Sequence, residues 1–349
     1  MRTTSGSESM IGFGLAGCGH AARKHAEALR VLQAAGVARL VSAYDPDQRR
    51  SEELAREFGA EHDPNLSDLL ERDAVQVLAI CTPSGLRLPL VEAAAQAGKH
   101  LLVEKPMALS LSEADTLIDT CRSAGVILGV VHPHRFQPAV GRLRGALEAG
   151  AFGKLTHASA LLRWHRPQSY YDASPWRGTT SMDGGLLFNQ AIHCLDLLLW
   201  TMGPVESASA YLTTRLRRIE TEDTAAGIMR FGGGALGVLE ASITVYPENL
   251  EESLAVFGEN GTAVLGGASL KEIVTWRFAG PGEGRVADAL PDLPTWRGHA
   301  AVIADLCASL LDRRRPLVDG EEARKVLELI VALQESARKG SPVTLAGGG

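Results

Sequence analysis

The chain has 349 residues, a length that favours two domains over one small module. It is 45% hydrophobic and 22% charged and contains 37 glycines, which is typical of a globular protein and excludes a disordered or fibrous one. The formal net charge of −6 argues against binding to nucleic acid or to an anionic membrane surface. We therefore expect the partner to be a small molecule or a second copy of the chain.

The cysteines and the apolar runs bear on the cellular location. Five cysteines lie far apart without a Cys-x-x-Cys pair, which excludes a zinc ribbon, argues against a disulfide framework and favours the reducing cytoplasm. The longest apolar runs, such as residues 126–131, are far shorter than the roughly 20 residues of a membrane helix. Residues 1–10 are polar and lack the apolar segment of a signal peptide, so we predict a disordered leader there.

Residues 11–137 alternate short apolar runs with amphipathic stretches, a pattern typical of βαβ units around a parallel sheet. We therefore predict an N-terminal Rossmann domain of α/β class, with a doubly wound parallel sheet, over residues 11–137. The predicted strands cover residues 11–17, 40–44, 75–81, 100–103 and 126–131, and the predicted helices cover 21–34, 47–58, 86–97 and 112–122.

The pattern changes in residues 138–349, where longer segments alternate apolar and polar side chains. The segments FGGGALG and ENGTA between such runs indicate hairpin turns. This predicts a C-terminal α+β domain with a large, mostly antiparallel open sheet. Its predicted strands include residues 205–214, 224–231, 235–244 and 254–257, and its predicted helices cover 186–202, 298–311 and 320–338.

A glycine-rich turn of the form G-x-G-x-x-A follows the first predicted strand. The first glycine allows a tight turn, the second lets a pyrophosphate approach the backbone, and a small third residue lets helix and strand pack. Glycine-rich turns are common, so the motif gains its meaning from its place between a strand and a helix. It comprises Gly17, Cys18, Gly19, His20, Ala21 and Ala22.

Asp45 ends the second predicted strand, where a carboxylate can accept hydrogen bonds from both ribose hydroxyls and repel a 2′-phosphate. This favours NAD over NADP, although Arg49 and Arg50 one turn later leave room for NADP. The structural alternative is that Asp45, followed by Pro46, is the N-cap of the next helix; the two roles can coexist.

Two further strand ends carry polar groups. The third run ends in Cys81, Thr82, Pro83 and Ser84, at the carboxyl edge where open α/β sheets bind ligands, although a plain turn would also explain them. The fourth ends in Glu104, Lys105 and Pro106. Lys105 could hydrogen-bond a substrate hydroxyl or shuttle a proton, and the alternative is a surface salt bridge at a strand end.

A nearly apolar helix in the second domain carries a polar stripe. Asn189, His193 and Asp196 have the spacing i, i+4, i+7, which places them on one helical face. Because histidine titrates near neutral pH, His193 is our candidate general acid/base. The alternative is a core histidine bonded to Asp196 or to a backbone carbonyl.

Just upstream of this helix, aromatic and cationic residues are concentrated in a chain that is only 5% aromatic. Rings stack on sugars or nicotinamide, and arginines bind carboxylate or phosphate oxygens, so this predicts a binding loop; a subunit contact would use the same residue types. The histidine, aspartate and asparagine spacings match no metal-ligand set, and we expect no metal. The loop residues are Arg163, Trp164, His165, Arg166, Tyr170, Tyr171, Trp176 and Arg177.

Together, the G-x-G-x-x-A turn, the Cys-Thr-Pro and Glu-Lys-Pro segments, and the Gly184-Gly185 entry to the helix of Asn189 and His193 resemble the Gfo/Idh/MocA oxidoreductase family, from residue 11 to about 345. Asn-Gln-x-x-His at residues 189–193, in place of Asp four residues before the histidine, is more similar to the branch containing UDP-N-acetyl-2-amino-2-deoxyglucuronate 3-dehydrogenase. The chain departs from the family pattern at His134, where Asn is common.

The resemblance implies an NAD(P)-dependent dehydrogenase acting on the CH-OH group of a sugar, sugar acid or nucleotide sugar. Lys105 and His193 would be the catalytic pair, a cis bond would precede Pro106, and the open sheet would form a homodimer or homotetramer. The alternatives are a ketosugar reductase using NADPH and a non-catalytic NAD-sensing regulator on the same fold.

The predicted substrate-binding residues are Arg163, Tyr171, Trp176, Arg177, Asn189, Gln190 and His193; the predicted cofactor-binding residues are the six of the glycine-rich turn with Asp45, Thr82, Pro83, Ser84, Glu104 and Lys105.

Overall fold

The computed structural model describes residues 10–279 and 296–345. All of the predicted leader except Met10 lies outside them. The described chain divides into two compact units: the first holds residues up to 108 together with 112–133 and 296–323, and the second holds 109–111, 134–279 and 324–345. Residues 138–349 were predicted as one domain, whereas the helix near residue 300 belongs to the first unit. The predicted domain limits stay a prediction.

The first unit is built on a six-stranded parallel sheet in the order β3-β2-β1-β4-β5-β6, which confirms the predicted Rossmann sheet. Its central strands are continuous apolar runs because helices cover both faces of such a sheet. The elements, in chain order, are β1 (Ile11–Ala16), α1 (His20–Ala34), β2 (Ala38–Tyr44), α2 (Gln48–Phe58), β3 (Glu61–His62), α3 (Leu66–Glu71), β4 (Val77–Ile80), α4 (Arg87–Gln96), β5 (His100–Glu104), α5 (Leu111–Ser123) and β6 (Leu128–Val131).

The second unit contains an eight-stranded sheet in the order β13-β12-β11-β7-β10-β9-β8-β14, and of its pairs only β7 with β10 is parallel. The two predicted hairpin turns are confirmed between β9 and β10 and between β11 and β12. The elements are α6 (Pro138–Glu148), β7 (Leu155–Arg163), α7 (Gln168–Asp172), a π-helical turn (Leu187–Ala191), α8 (Ile192–Met202), β8 (Val205–Thr213), β9 (Thr224–Phe231), β10 (Leu236–Ser242), β11 (Glu251–Gly258), β12 (Gly261–Gly266), β13 (Glu272–Phe278), α9 (Trp296–Asp312), α10 (Gly320–Lys339) and β14 (Val343–Thr344), of which α9 belongs to the first unit.

Burial follows the strand period in the second sheet. Along β9, residues that point into the unit are buried and their neighbours, such as Ile228, are exposed. One face of this sheet packs on α8, while the other carries exposed apolar side chains. Within residues 10–279 and 296–345, no helix has the length and hydropathy needed to cross a membrane.

Candidate functional site

The glycine-rich turn lies where β1 ends and α1 begins. Gly17 has φ +88°, and a Cβ there would lie 2.9 Å from Thr82 Cγ2, so both the conformation and the contact require glycine. A Cβ at Gly19, by contrast, would meet no atom within 4 Å. The turn therefore packs closely at its first glycine and leaves open space at its second, as a pyrophosphate-binding turn requires.

Asp45, at the end of β2, holds this turn in place. Its carboxylate accepts hydrogen bonds from the backbone N–H of Cys18 at 2.7 Å and of Asp47 at 2.9 Å. The N-cap of α2 is Asp47, whose side chain accepts from the N–H of Arg49 at 3.3 Å. The alternative that Asp45 is the N-cap is therefore wrong, and its buried carboxylate instead links two loops at the carboxyl edge of the sheet.

The buried hydroxyl of Thr82 bears on cofactor binding. Its Oγ1 is buried and makes no hydrogen bond within the described part of the chain, and the residue borders Gly17. A buried hydroxyl without a partner is costly unless a ligand supplies one. With the open space at Gly19 and the N-terminus of α1, these residues fit a dinucleotide.

The Glu104-Lys105-Pro106 segment forms a tightly held turn after β5, and the bond preceding Pro106 is cis. The buried Arg87 guanidinium donates to the carbonyl oxygens of Glu104 and Pro106, which flank Lys105, and at 2.9 Å to the carbonyl of Thr82. Burial lowers the pKa of Arg87 to about 10, so it remains a cation at neutral pH.

The Glu104 side chain is buried beneath this turn. Its Oε1 lies 3.0 Å from Nε2 of His25 on α1 and 3.3 Å from Nε2 of His299 on α9. Burial alone would raise the pKa of this carboxyl, but the hydrogen bonds from the two histidines hold it well below its usual range. The surface salt bridge considered from the sequence is therefore not what Glu104 forms.

In the second unit, the helix predicted over residues 186–202 begins with the π-helical turn before α8. Single π turns inside helices are frequent at functional sites. Asn189 and His193 are half-buried, whereas most of the helix is buried. The Asn189 amide donates to Asp183, whose other carboxylate oxygen accepts from the N–H of Gly178 at 2.8 Å, so Asp183 ties the loop to this helix.

The three polar residues of the predicted stripe have different neighbours. The ring of His193 meets the edge of the His134 ring, with centroids 4.4 Å apart. Both carboxylate oxygens of Asp196 accept hydrogen bonds from Arg135. Within the second unit, His193 thus contacts His134, and Asp196 pairs with Arg135.

Glu222 lies at the entry to this helix. Its Oε1 accepts from the N–H of Leu187 at 2.8 Å, and a Cβ at Gly185, which has φ +92°, would lie 3.0 Å from its other oxygen. Burial raises the pKa of Glu222 to about 7. A carboxyl group therefore caps the N-terminal end of the segment that carries Asn189 and His193.

Aromatic and cationic side chains of the predicted binding loop lie against one another. The guanidinium of Arg177 stacks 4.2 Å from the ring centroid of Tyr170 and donates to its carbonyl at 2.8 Å. Arg166 lies over both Trp164 and Tyr170. Trp176 lies 5.5 Å from the Arg177 guanidinium, and Tyr171 is buried below the loop.

Arg163 stands apart from this group. Its guanidinium forms ion pairs with Glu240 on β10 at 2.6 Å and with Glu251 on β11 at 2.7 Å. These hydrogen bonds raise the pKa of Arg163 further above its ordinary value. Because two carboxylates neutralise its charge, Arg163 braces the sheet, and its role in substrate binding stays a prediction.

Several polar residues that shape these sites were not among the predicted site residues. Most are single residues in otherwise ordinary helices or turns, for which the sequence offered no spacing signal, and His134 was visible as a departure from the family pattern. They are His25, Arg87, His134, Arg135, Asp183, Glu222 and His299.

Two family models match this chain and together cover most of it. Residues 11–132 match the oxidoreductase family with an NAD-binding Rossmann fold, and residues 140–264 match the GFO/IDH/MocA C-terminal domain. The chain belongs to the GFO/IDH/MocA oxidoreductase family. It is an oxidoreductase, and NAD is its cofactor, as the sequence predicted.

Solved structures of GFO/IDH/MocA dehydrogenases resemble the chain over nearly its whole length. The WlbA dehydrogenase from Bordetella pertussis, in complex with NADH and UDP-GlcNAcA, is 36% identical with a TM-score of 0.87, covering 96% of this chain and 99% of that one. The WlbA dehydrogenase from Chromobacterium violaceum, in complex with the same two molecules, is 34% identical with a TM-score of 0.90, covering 98% of this chain and 97% of that one.

Among GFO/IDH/MocA proteins of known activity, UDP-N-acetylglucosamine 3-dehydrogenase from Acidithiobacillus ferrooxidans is 28% identical over 90% of this chain and 93% of its own. The scyllo-inositol 2-dehydrogenase (NAD(+)) of Bacillus subtilis is 28% identical over 88% of this chain and 89% of its own. The names of these relatives therefore include both nucleotide sugars and free polyols.

Proposed function

We propose that this GFO/IDH/MocA protein oxidises a secondary alcohol of a nucleotide sugar, with a UDP-linked sugar acid as the preferred substrate class. The observation that carries the proposal is the similarity, at 34% and 36% identity over nearly the full chain, to two dehydrogenases in complex with NADH and UDP-GlcNAcA. The named relative that acts on UDP-N-acetylglucosamine at position 3 supports the C3 hydroxyl as the group oxidised.

On the cofactor side, the residues that would hold NAD are those of the glycine-rich turn with Asp45 and the segment from Thr82 to Ser84. The backbone at Gly17 and Gly19 would receive the pyrophosphate, and Asp45 would accept from ribose hydroxyls. NAD supplies the acceptor for the hydride that leaves the alcohol carbon. The negative charge of Asp45 favours NAD over NADP.

The proton chemistry would fall to Lys105 and His193. His193 takes the hydroxyl proton as the alcohol becomes a carbonyl, since a neutral imidazole is the natural base near pH 7. Lys105 donates a hydrogen bond to the substrate oxygen and stabilises the charge that develops on it. The turn that Arg87 braces restricts where the Lys105 side chain starts.

Substrate recognition would use the loop of Arg177 and Trp176 with Asn189. Arg177 lies on an aromatic face and has no carboxylate partner in the described part of the chain, so it suits an anionic group on the sugar or phosphate. Gln190 and Tyr171 are buried, so we assign them a supporting position under this loop.

We further infer that the enzyme is a homo-oligomer of the cytoplasm. The open sheet face carries exposed apolar side chains on three neighbouring strands, Tyr211, Ile228, Val238 and Leu236, as an interface would. The five cysteines are free thiols, which fits a reducing compartment. Loss of oligomers in Ile228→Glu, measured by light scattering, would support this face as the interface.

The substrate is tested by a panel monitored through NADH absorbance. UDP-GlcNAcA, UDP-GlcNAc, scyllo-inositol and levoglucosan are each supplied with NAD and with NADP. We expect the UDP sugars, and UDP-GlcNAcA above all, to give the highest kcat/KM with NAD. Turnover of a free polyol alone would overturn the substrate proposal, and turnover of no compound would favour a sensing role.

The catalytic residues are tested by substitution. Lys105→Met and His193→Ala should each lower kcat by about 10²- to 10⁴-fold, because each removes a hydrogen-bonding or proton-transfer group from the reaction. NAD binding measured by calorimetry should be retained in the His193 variant. The exposed Lys154 and His157, changed to Met and Ala, are the matched controls, and undiminished turnover in either test variant would refute its assigned role.

A further inference from the structure

The buried Glu104 carboxylate in the first unit is bound by donors from three directions. Nε2 of His25 and Nε2 of His299 both lie within 3.3 Å of Oε1. The backbone N–H of Lys105 donates to Oε2 at 3.2 Å. Glu104, His25 and His299 are exposed by only 6%, 1% and 7%. The carboxylate thus connects two helices to the amide of Lys105.

Arg87 completes the restraint on the same backbone. It binds the carbonyl oxygens of Glu104 and Pro106, the residues on either side of Lys105. The peptide group before Lys105 and the peptide group after Pro106 are therefore both held by the buried Arg87 guanidinium. The Lys105 side chain therefore starts from a backbone that is held on both sides.

We propose that His25 and His299 are positioning residues for Lys105, acting through the shared Glu104 carboxylate. The functional part of this inference rests on the proposed role of Lys105 in the reaction. A buried carboxylate that loses a donor moves or draws in water to recover it, and the amide hydrogen-bonded to its other oxygen moves with it. A displacement of about 1 Å at a reacting group can lower turnover about 100-fold.

The charges around the carboxylate favour a hydrogen-bonded cluster. Arg87 supplies one positive charge against the negative Glu104, and burial lowers the pKa of His25, so His25 is a neutral Nε2–H donor. Cys81, also facing this carboxyl, is held neutral because burial raises the pKa of its thiol well above the usual range. Nδ1 of His25 and of His299 are buried without hydrogen bonds within the described residues, and Nε2 of each ring faces Glu104.

A divalent metal ion is the competing interpretation. One ligand atom from each of His25, Glu104 and His299 lies within 4.8 Å of the others, which is close enough for a shared ion. An added dication would face the Arg87 guanidinium inside a buried site, however, and that repulsion favours the hydrogen-bonded form. Treatment with a chelator separates the two interpretations.

The test compares His25→Leu and His299→Leu with His25→Gln and His299→Gln, because glutamine keeps an N–H donor and leucine does not. His100→Leu is the control, since it removes a half-buried histidine from the same strand. The first readout, independent of any substrate, is hydrogen exchange of the Lys105 amide by fragmentation mass spectrometry, with the amide of Val130 as internal reference.

We expect the Lys105 amide to exchange about tenfold faster in the leucine variants, and the glutamine variants to recover most of the protection. In turnover, kcat should fall about 10- to 100-fold in the leucine variants, with the Kd for NAD and the KM changed by less than about threefold. If the leucine variants do not fold, Glu104→Gln gives the same test, since its amide has only one accepting oxygen.

Unchanged exchange and kcat in folded leucine variants would overturn the proposal, as would glutamine variants as damaged as the leucine ones. Activity lost on treatment with a chelator and restored by Zn²⁺ would assign the cluster to a metal instead. If the wild type oxidises no compound of the substrate panel with NAD while the exchange responds as expected, the proposed function fails and the positioning of Lys105 stands.

Discussion

Arg135 and Asp196 form a bidentate ion pair inside the second unit, with nitrogen to oxygen distances of 2.9 and 2.7 Å and side chains only 3% and 2% exposed. Breaking one side of such a pair leaves a buried charge without its partner. We expect Asp196→Asn to lower the free energy of unfolding by about 3–5 kcal/mol, measured by urea titration.

The control for this pair is Glu148→Gln, which breaks the exposed ion pair between Glu148 and Arg144 on α6. Pairs in solvent contribute about 0–1 kcal/mol, so this variant should stay close to the wild type. Equal losses in the two variants would contradict the view that burial makes the Arg135 pair costly to break.

The two buried glutamates of the second unit should make stability depend on pH. Burial raises the pKa of both Glu222 and Glu252 from the ordinary 4.5 to about 7. Between these pH values the folded protein holds protons that the unfolded chain has lost, so stability falls as pH rises through this window. Across this window, ionisation of each carboxyl lowers the free energy of unfolding by about 3 kcal/mol.

Glu222→Gln and Glu252→Gln should therefore each flatten the decline of the unfolding free energy between pH 4.5 and about 7, and the double variant should flatten it further. Urea titrations across this range provide the measurement. A wild-type stability that rises over the same interval, with no difference in the variants, would show that these carboxyls ionise normally.

Gly185, at the entry to the helix of His193, should not tolerate a side chain. It has φ +92°, and a Cβ would lie 2.6 Å from Cβ of Thr221, so backbone strain and overpacking add. We expect Gly185→Ala to cost about 2–5 kcal/mol of unfolding free energy.

Gly36 is the matched control for this substitution. Its φ of +72° is similar, but a Cβ there would meet nothing within 4 Å. Gly36→Ala should cost only the backbone penalty of about 1–2 kcal/mol. Thermal or urea unfolding of the two variants separates the contributions, and equal costs would refute the steric part of the argument.

Asp45 should control both cofactor affinity and cofactor choice. Asp45→Asn leaves the N–H of Cys18 or of Asp47 without an acceptor and removes the charge that would repel a 2′-phosphate. Hydrogen bonds to charged groups contribute about 1.5–3 kcal/mol, so the Kd for NADH should rise about tenfold or more while NADPH gains relative to it. Calorimetry measures the Kd for NADH and the Kd for NADPH in the variant and in the wild type.

Asp47→Asn is the control for Asp45, because asparagine caps a helix as well as aspartate does and the side chain is exposed. The Kd values of this variant for NADH and NADPH should match those of the wild type. Tighter binding of NADPH than NADH by the wild type would show that the interpretation of Asp45 as an NAD-selecting residue is wrong.

The sheet of the first unit could be predicted from sequence because strands buried on both faces are continuous apolar runs. The short β3 and α3 were missed, since two and six residues carry too little periodicity to be seen. In the second unit, β7 was not among the predicted strands, and its parallel partner β10 lies far from it along the chain. Long-range pairing of that kind leaves no local pattern.

Short sequence motifs were enough to single out some candidate site residues. These are the glycines of the dinucleotide turn, Lys105 before a proline, and His193 on a helix after two glycines. A φ above zero or a helical period is a property of neighbouring residues, so the sequence can display it. The tertiary structure decided which charges are engaged and which remain available for binding.

Arg163 shows this most clearly, since glutamates on two other strands neutralise a guanidinium that in sequence adjoins the binding loop. In the same way His25 and His299, separated by most of the chain, meet at one carboxylate of Glu104. Pairing energy depends on distance and burial, which are set by the fold and not by position along the chain.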